Sequence, residues 1–271
     1  MKLATFDAAL ATQINSFFAN DRPVPIRVWA MLDGTIEGRC VVDDPAQPTC
    51  ALLQEVAEGT TYIGGAVTSE FVAEAIALLR ETHEVVVCVW PGDPLAAMLP
   101  TTPNYRGTAI DFTDRSAAVD LDRLCAVPDG YQLQRIDHTI VPLLNGYDYY
   151  IAMFGSVDYA LEHTIGYCLL HGDTVVSEAV AGPLTRGIAE LGVDTHEAYQ
   201  RQGFATITSA WVIRACETLG YRAFWNASQH NVASIALAKR LGFQTARSFD
   251  VLAWSPSTAH QPNNDQRSTQ L

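Results

Sequence analysis

Between residues 163 and 254 the chain alternates two hydrophobic rhythms, and this alternation constrains the fold more than any other feature of the sequence. HTIGYCLLHGDTVVSEAVAG carries two β-rich runs around HGD, a turn signal, and reads as a hairpin. GIAELGVDT is a further strand. FATITSAWVIRACETLG then places Phe204, Ile207, Trp211, Ala215 and Leu219 on one helical stripe, and YRAFWNAS returns to a strand. NVASIALAKRLG is a helix stopped by Gly242, a glycine just past its end, and SFDVLAW closes the series with a strand. This order predicts an α/β fold of the α+β kind, with a mixed sheet.

The first half mixes the same ingredients in shorter pieces. MKLATFDAALATQINSFFAN reads as a helix; it has no long apolar stretch of the kind a signal peptide carries. RPVPIRVWAML, EGRCVVDD, TCALLQEVAEG and TTYIGGAV read as strands parted by Gly, Asp and Pro. SEFVAEAIALLRET has Phe71, Ala75, Leu78 and Leu79 at helical spacing, and EVVVCVW is a buried strand. YRGTAIDFTD is another strand, with a short helix near Leu121–Cys125. The turn VPDG then marks a boundary between an N-terminal α/β domain, 1–127, and a second domain, 128–254. The second opens with the alternating strand YQLQRID and a helix DHTIVPLLNG that ends at Gly146. Residues 147–160 read as a loop rich in Tyr and Phe that either lines a substrate pocket or covers a seam between domains. From Ser255 to Leu271 the sequence is polar and aperiodic, the composition of a disordered tail.

Composition removes several function classes. The 271 residues carry a net charge of −13, which opposes non-specific binding to nucleic acid and to anionic membranes and tolerates a cationic substrate. No apolar run approaches the roughly 20 residues that cross a bilayer, and the expected location is the cytoplasm. The six cysteines are scattered without a CxxC and read as reduced and structural. None of the seven histidines forms HxxxH or HExxH, so no metal is expected.

A polyanion would have to be held locally, and YQRQGFAT at 199–206 has the means. It joins the strand ending at Val193–Thr195 to the helix that begins near Gly203. First-turn N–H groups have no partner within a helix and lie at the positive end of its dipole. Gly203 lets a phosphate approach the backbone, Ala205 is nearly as small, and Arg201 adds a positive charge at the mouth. Neither GxxxxGK[ST] nor a GxGxxG after a strand competes for that role.

Gln200-x-x-Gly203-x-Ala205, followed at the right spacing by HNVASIALAKRLGF, resembles the GNAT acetyltransferase superfamily. EAYQRQGFAT, FWNAS and NVASIALAKRLGF together are most similar to its zwittermicin A resistance-like group. The resemblance covers about residues 165–254 and weakens before them. It implies acetyl-CoA as cosubstrate and direct transfer of an acetyl group to a small-molecule amine. The strand with Leu191, Val193 and Thr195 would meet the pantetheine amides, and the backbone of Gln200, Arg201, Gln202, Gly203, Phe204, Ala205 and Thr206 would hold the pyrophosphate. Asn226 would bind the cofactor, and Asn231 and Ser234 would face its arm or its thioester end.

Glu190 is the candidate general base, directly or through water, with Glu178 and Glu197 as alternatives. A backbone N–H near Gly192–Val193 would serve the developing oxyanion. The family's usual proton-donating Tyr falls on Ala238, so that role does not transfer, and Ser234 is the nearest hydroxyl. Two rivals remain: a non-catalytic acyl-CoA sensor, and an enzyme that uses a longer acyl donor or a protein N-terminus. The N-terminal half is left as a degenerate copy of the same fold, a substrate lid or the surface of a homodimer.

Overall fold

The computed structural model describes residues 2–18, 22–244 and 246–256. The expected polar tail lies outside the described residues from 257 onward. The chain divides into two compact units. One runs to Ile110 and takes in the segment from Ser248 on, and the other is Asp111–Arg247. The turn at 127–130 therefore falls inside the second unit.

In the first unit β1 (Lys2–Ala4) precedes α1 (Ala8–Ile14), which Asp7 caps by accepting from the Leu10 N–H at 2.9 Å. The expected single N-terminal helix is thus a strand, a helix and a 3₁₀ turn ending at Phe18. RPVPIRVWAML corrects a second expectation, because residues 25–32 form a helix, α2 (Pro25–Leu32), and not a strand. Pro25 sits in the first turn, where its missing N–H costs no bond, and Ile26, Ala30 and Met31 face inward. There follow β2 (Gly38–Val42), β3 (Cys50–Glu55), β4 (Thr60–Gly65), α3 (Ser69–Leu79), β5 (Val85–Val89) and β6 (Tyr105–Phe112). The closing strand β12 (Ala246–Trp254) pairs antiparallel with β5, Asp250 opposite Val89 and Trp254 opposite Val85. The sheet order is β1-β2-β3-β4-β5-β12-β6. α3 lays Phe71, Val72, Ala75, Ile76 and Leu79 on Leu52, Ile63, Val85, Val87 and Trp254. Each of these side chains larger than alanine contributes about 1.5–3 kcal/mol on burial.

The second unit holds α4 (Leu121–Leu124), β7 (Gln132–Arg135), α5 (Tyr147–Phe154), α6 (Val157–Glu162), β8 (Ile165–His171), β9 (Thr174–Ala181), β10 (Ile188–Thr195), α7 (Phe204–Thr218), β11 (Arg222–Ser228) and α8 (Val232–Arg240). Its sheet order is β11-β10-β9-β8-β7, with only β10–β11 parallel. Residues 111–127 belong here physically: Trp211 donates to the Cys125 carbonyl at 2.9 Å, and Arg214 reaches Asp122 at 2.9 Å. The helix expected over DHTIVPLLNG shrinks to one 3₁₀ turn, Val141–Leu143. Pro142 has no N–H to donate, so no helical hydrogen bond can run back from it into the residues before the turn. The aromatic segment 147–160, expected as a loop, is instead the helices α5 and α6, with Ser156 capping the second by accepting from the Tyr159 N–H. One face of the sheet packs on α7 through Leu169, Val176, Phe204 and Ile207. The other face packs Cys168, Leu170 and Val180 against Ile136, Ile140, Val141 and Leu144.

Each unit contains one parallel strand pair joined by a helix, β4–α3–β5 and β10–α7–β11, and in each the pairing covers only the first residues. β4 and β5 match at Thr60–Val86 and Thr61–Val87, then part. β10 and β11 match from Ile188–Arg222 to Glu190–Phe224, then part.

The two openings differ in what fills them. In the first unit a Cβ on Gly64 would lie 2.5 Å from the Phe17 carbonyl oxygen, so the N-terminal segment is pressed against the end of β4. Thr68 caps α3 by accepting from the Phe71 N–H at 3.2 Å, and Glu70 stands in the first turn. In the second unit nothing lies within 4 Å of a Cβ built on Gly203, α7 has no side-chain cap, and its first turn carries no acidic residue.

Candidate active site

The second opening is the centre of the candidate site. Beyond Glu190, β10 continues as Leu191–Thr195 and pairs only with β9, Leu191 opposite Ala181 and Thr195 opposite Ser177. β11 continues as Trp225–Ser228 without β10 beside it. Among the described residues, then, the far edge of Leu191–Thr195 has no strand on it. Such an edge presents backbone donors and acceptors to any extended chain of amides laid along it.

The connection from β10 to α7 shapes the end of that edge. A 3₁₀ turn, Glu197–Tyr199, is followed by Gln200, Arg201 and Gln202, all exposed. Gln200 donates to the Thr195 carbonyl at 3.2 Å and Gln202 to the Ala198 carbonyl at 3.4 Å, so the loop is tied to itself. Arg201 and Gly203 both have left-handed backbones, φ +63° and +89°. Arg201 holds that conformation at a cost of about 1–3 kcal/mol, a cost residues at binding loops often carry. Its side chain makes no ion pair among the described residues. Phe204 and Thr206 point into the core, with 3% and 6% exposure, so only their backbone can serve a ligand. Ala205 is half-buried. An uncapped 15-residue helix with an open glycine and an arginine at its start has the donor set for a pyrophosphate.

The predicted side chains fall into three groups: Glu190 with Asn226, Asn231 and Ser234 with Trp225, and Thr195 with Ser177. Glu190 is buried and accepts a hydrogen bond from the Asn226 amide, and this clasp crosses from β10 to β11 where they diverge. Asn231 caps α8, accepting from the Ser234 N–H at 3.0 Å. The Ser234 hydroxyl oxygen accepts from the Trp225 indole N–H at 3.0 Å, which leaves its own proton to donate. Thr195 shares a hydrogen bond with Ser177 at 2.8 Å, Leu191 is buried, and Val193 is half-buried. Ala238 is fully buried, so no acidic side chain stands at that place on α8. Glu197 lies exposed on the 3₁₀ turn, apart from these groups. The six cysteines are free, and no group of three metal-ligating side chains occurs among the described residues.

Sequence reasoning ranked Glu178 below Glu190 and missed its partners. Val180 packs on the face away from α7, and alternation puts Glu178 on that same face. Glu178 stands opposite Asp194 in the β9–β10 register. Burial, and then the charge of Asp194, push its carboxyl up to about 7, against which the backbone N–H groups of Asn145 and Gly146 pull it down. Asn145 also donates its side-chain amide to Asp194 at 2.5 Å. The signal in the sequence was a lone Glu inside the apolar run TVVSEAVA.

Residues 25–252 match the family model of the GNAT acetyltransferases. A curated relative, the uncharacterized N-acetyltransferase YdfB of Bacillus subtilis strain 168, is 26% identical over 243 residues, 86% of this chain and 91% of its own length. Among solved structures, a GCN5-related N-acetyltransferase-like protein of Streptococcus suis 89/1591 superposes with a TM-score of 0.70 at 22% identity, covering 90% of this chain and 99% of its own. A tandem GNAT protein from the clavulanic acid biosynthesis pathway gives 0.57 at 13% identity, covering 94% and 98%.

Proposed function

The chain belongs to the GNAT acetyltransferase family, and from that premise we propose that it transfers an acetyl group from acetyl-CoA directly to the amine of a small molecule. The observation that carries this reading is the parting of β10 from β11 beside an uncapped α7 N-terminus. The free edge of Leu191–Thr195 takes the pantetheine amides, and the backbone from Gln200 to Thr206, with Arg201, takes the pyrophosphate. When bound, acetyl-CoA supplies an activated thioester.

The protein's own residues then do three things. The N–H groups near Gly192–Val193 stabilise the charge that develops on the acetyl oxygen. A carboxylate on the β9–β10 face relieves the amine of its proton; Glu190 is one candidate, held in place by Asn226. Ser234, oriented by Trp225, donates a hydrogen bond to the departing sulfur. The net charge of −13 favours a cationic acceptor, and the likeness to the zwittermicin A resistance-like group supports a natural-product amine in the cytoplasm.

Thermal unfolding with and without acetyl-CoA tests the cofactor site. At 100 times its dissociation constant acetyl-CoA should stabilise the protein by about 2.7 kcal/mol. Gly203→Glu places bulk and negative charge in the cradle and should abolish the shift. Stabilisation of this variant equal to that of the unaltered protein would remove the loop from the site. A second reading, a non-catalytic acyl-CoA sensor, is favoured by the buried Ala238. Release of CoA thiol in the presence of amines separates the two.

A further inference from the structure

On the face of the second unit away from α7 there is a cavity of about 300 Å³, walled by Val141, Leu144, Ala160, Leu161, Gly166 and Val180. Its charged lining residues, Arg135 and Asp137, are both exposed. Thr164, the remaining polar one, donates its hydroxyl to the Ala160 carbonyl at 2.7 Å. The buried wall is therefore apolar in effect, and the volume is at the small end of what ligand pockets hold, roughly 300–1,000 Å³.

Two features connect this cavity to the opening between β10 and β11. Gly166 pairs with Val180 and Val180 with Gly192, so one row of the sheet leads from the cavity floor to the free edge of β10. Each step across that row is about 4.8 Å. Leu144, in the wall, is followed directly by Asn145 and Gly146, whose N–H groups hold Glu178. Glu178 and Asp194 stand one alternation further along their strands from Val180 and Gly192, on the same face.

Resting on the acetyl-transfer reading, we propose that the acceptor is a primary amine with an apolar alkyl or aryl body, which lies in the cavity over Val180 while its ammonium is held between Glu178 and Asp194. Glu178 takes one proton from the ammonium. The freed nitrogen lone pair forms the N–C bond to the acetyl carbon as the C–S bond breaks; the sulfur departs as thiolate and takes up, through water, the second proton that the nitrogen sheds in becoming an amide, and Glu178 returns its own to solvent. A carboxyl held near 7 suits that exchange at neutral pH. An acceptor with a polar body would leave its hydroxyls or further amines unpaired against the wall.

The experiment measures CoA-thiol release by the full chain with a straight series from propylamine to hexylamine, with phenethylamine, and with spermidine and lysine amide. Values of kcat/KM should rise about fourfold per methylene, and spermidine and lysine amide should lie below hexylamine. Val180→Phe, which fills the cavity, should flatten the series and cut hexylamine at least tenfold. Glu178→Gln should lower kcat/KM across the series on the order of 100-fold at pH 7. Acetyl-CoA-dependent melting of each variant identifies one that fails to fold, and the series on the unaltered protein decides without any variant. A flat series or a preference for spermidine overturns the acceptor assignment alone. No turnover of any amine in a protein that acetyl-CoA does stabilise selects the sensor reading and removes the acceptor with it. Absence of that stabilisation strikes the acetyl-transfer reading beneath it.

Discussion

Glu178 and Glu190 lie on one face of adjoining strands, yet their surroundings set them apart. Glu190 is clasped by the Asn226 amide. Glu178 faces Asp194 in a buried site, and its carboxyl is raised from its ordinary 4.5 to about 7. A folded-state value above the unfolded one means that the folded chain binds more protons in that interval. The stability this group adds is complete below pH 4.5 and is lost as pH rises through about 7. The melting temperature of the unaltered protein should therefore fall between pH 5 and pH 8, and Glu178→Gln should flatten that decline; parallel curves for the two would refute the assignment. The sequence made Glu178 visible as a charge in an apolar strand. It could not show Asn145, because nothing local ties a residue near a 3₁₀ turn to a strand far along the chain. Ala238 was legible by its spacing, and its full burial follows from the packing of α8.

Helix ends account for most of what was read well and most of what was missed. α7 and α8 were legible from their stripes and from the residues at their starts, Gly203 and Asn231. Asn231 also shows how one residue serves both fold and site. Its carbonyl oxygen caps α8, and Asn231→Ala should cost about 1 kcal/mol, read from chemical denaturation. A change below the error of the measurement would leave the cap without energetic weight. The same variant should loosen Ser234, whose N–H that cap holds. α2, α5 and α6 were misread because their β-branched and aromatic residues suit a strand or loop in isolation, and tertiary packing overrode that preference. The opposite error at 137–146 came from apolar spacing that Pro142 cannot follow.

Taken whole, the molecule carries the same strand–helix–strand crossover twice, with one opening filled and one left clear. The Phe17 carbonyl against Gly64, the Thr68 cap and Glu70 leave the first unit without a cradle for a phosphate. Titration calorimetry should accordingly give one acetyl-CoA per chain, and a stoichiometry of two would contradict this account. The sequence hinted at two similar halves but placed their border at a turn, where a boundary is easy to see. The two compact units part at Ile110–Asp111, with Trp211 and Arg214 reaching back to Cys125 and Asp122 inside the second. No local signal says which sheet a closing strand will join.

That last strand bears on how the protein comes into being. β12 lies beside β5 within the first unit's sheet and supplies Leu252 and Trp254 to its core. During synthesis the residues up to Ile110 emerge first, yet their sheet lacks an inner member until the chain has been extended to Trp254. At translation speeds of about 5–20 residues per second, that wait is on the order of ten seconds. The second unit can close in the meantime. The half that is made first is thus the half that is finished last.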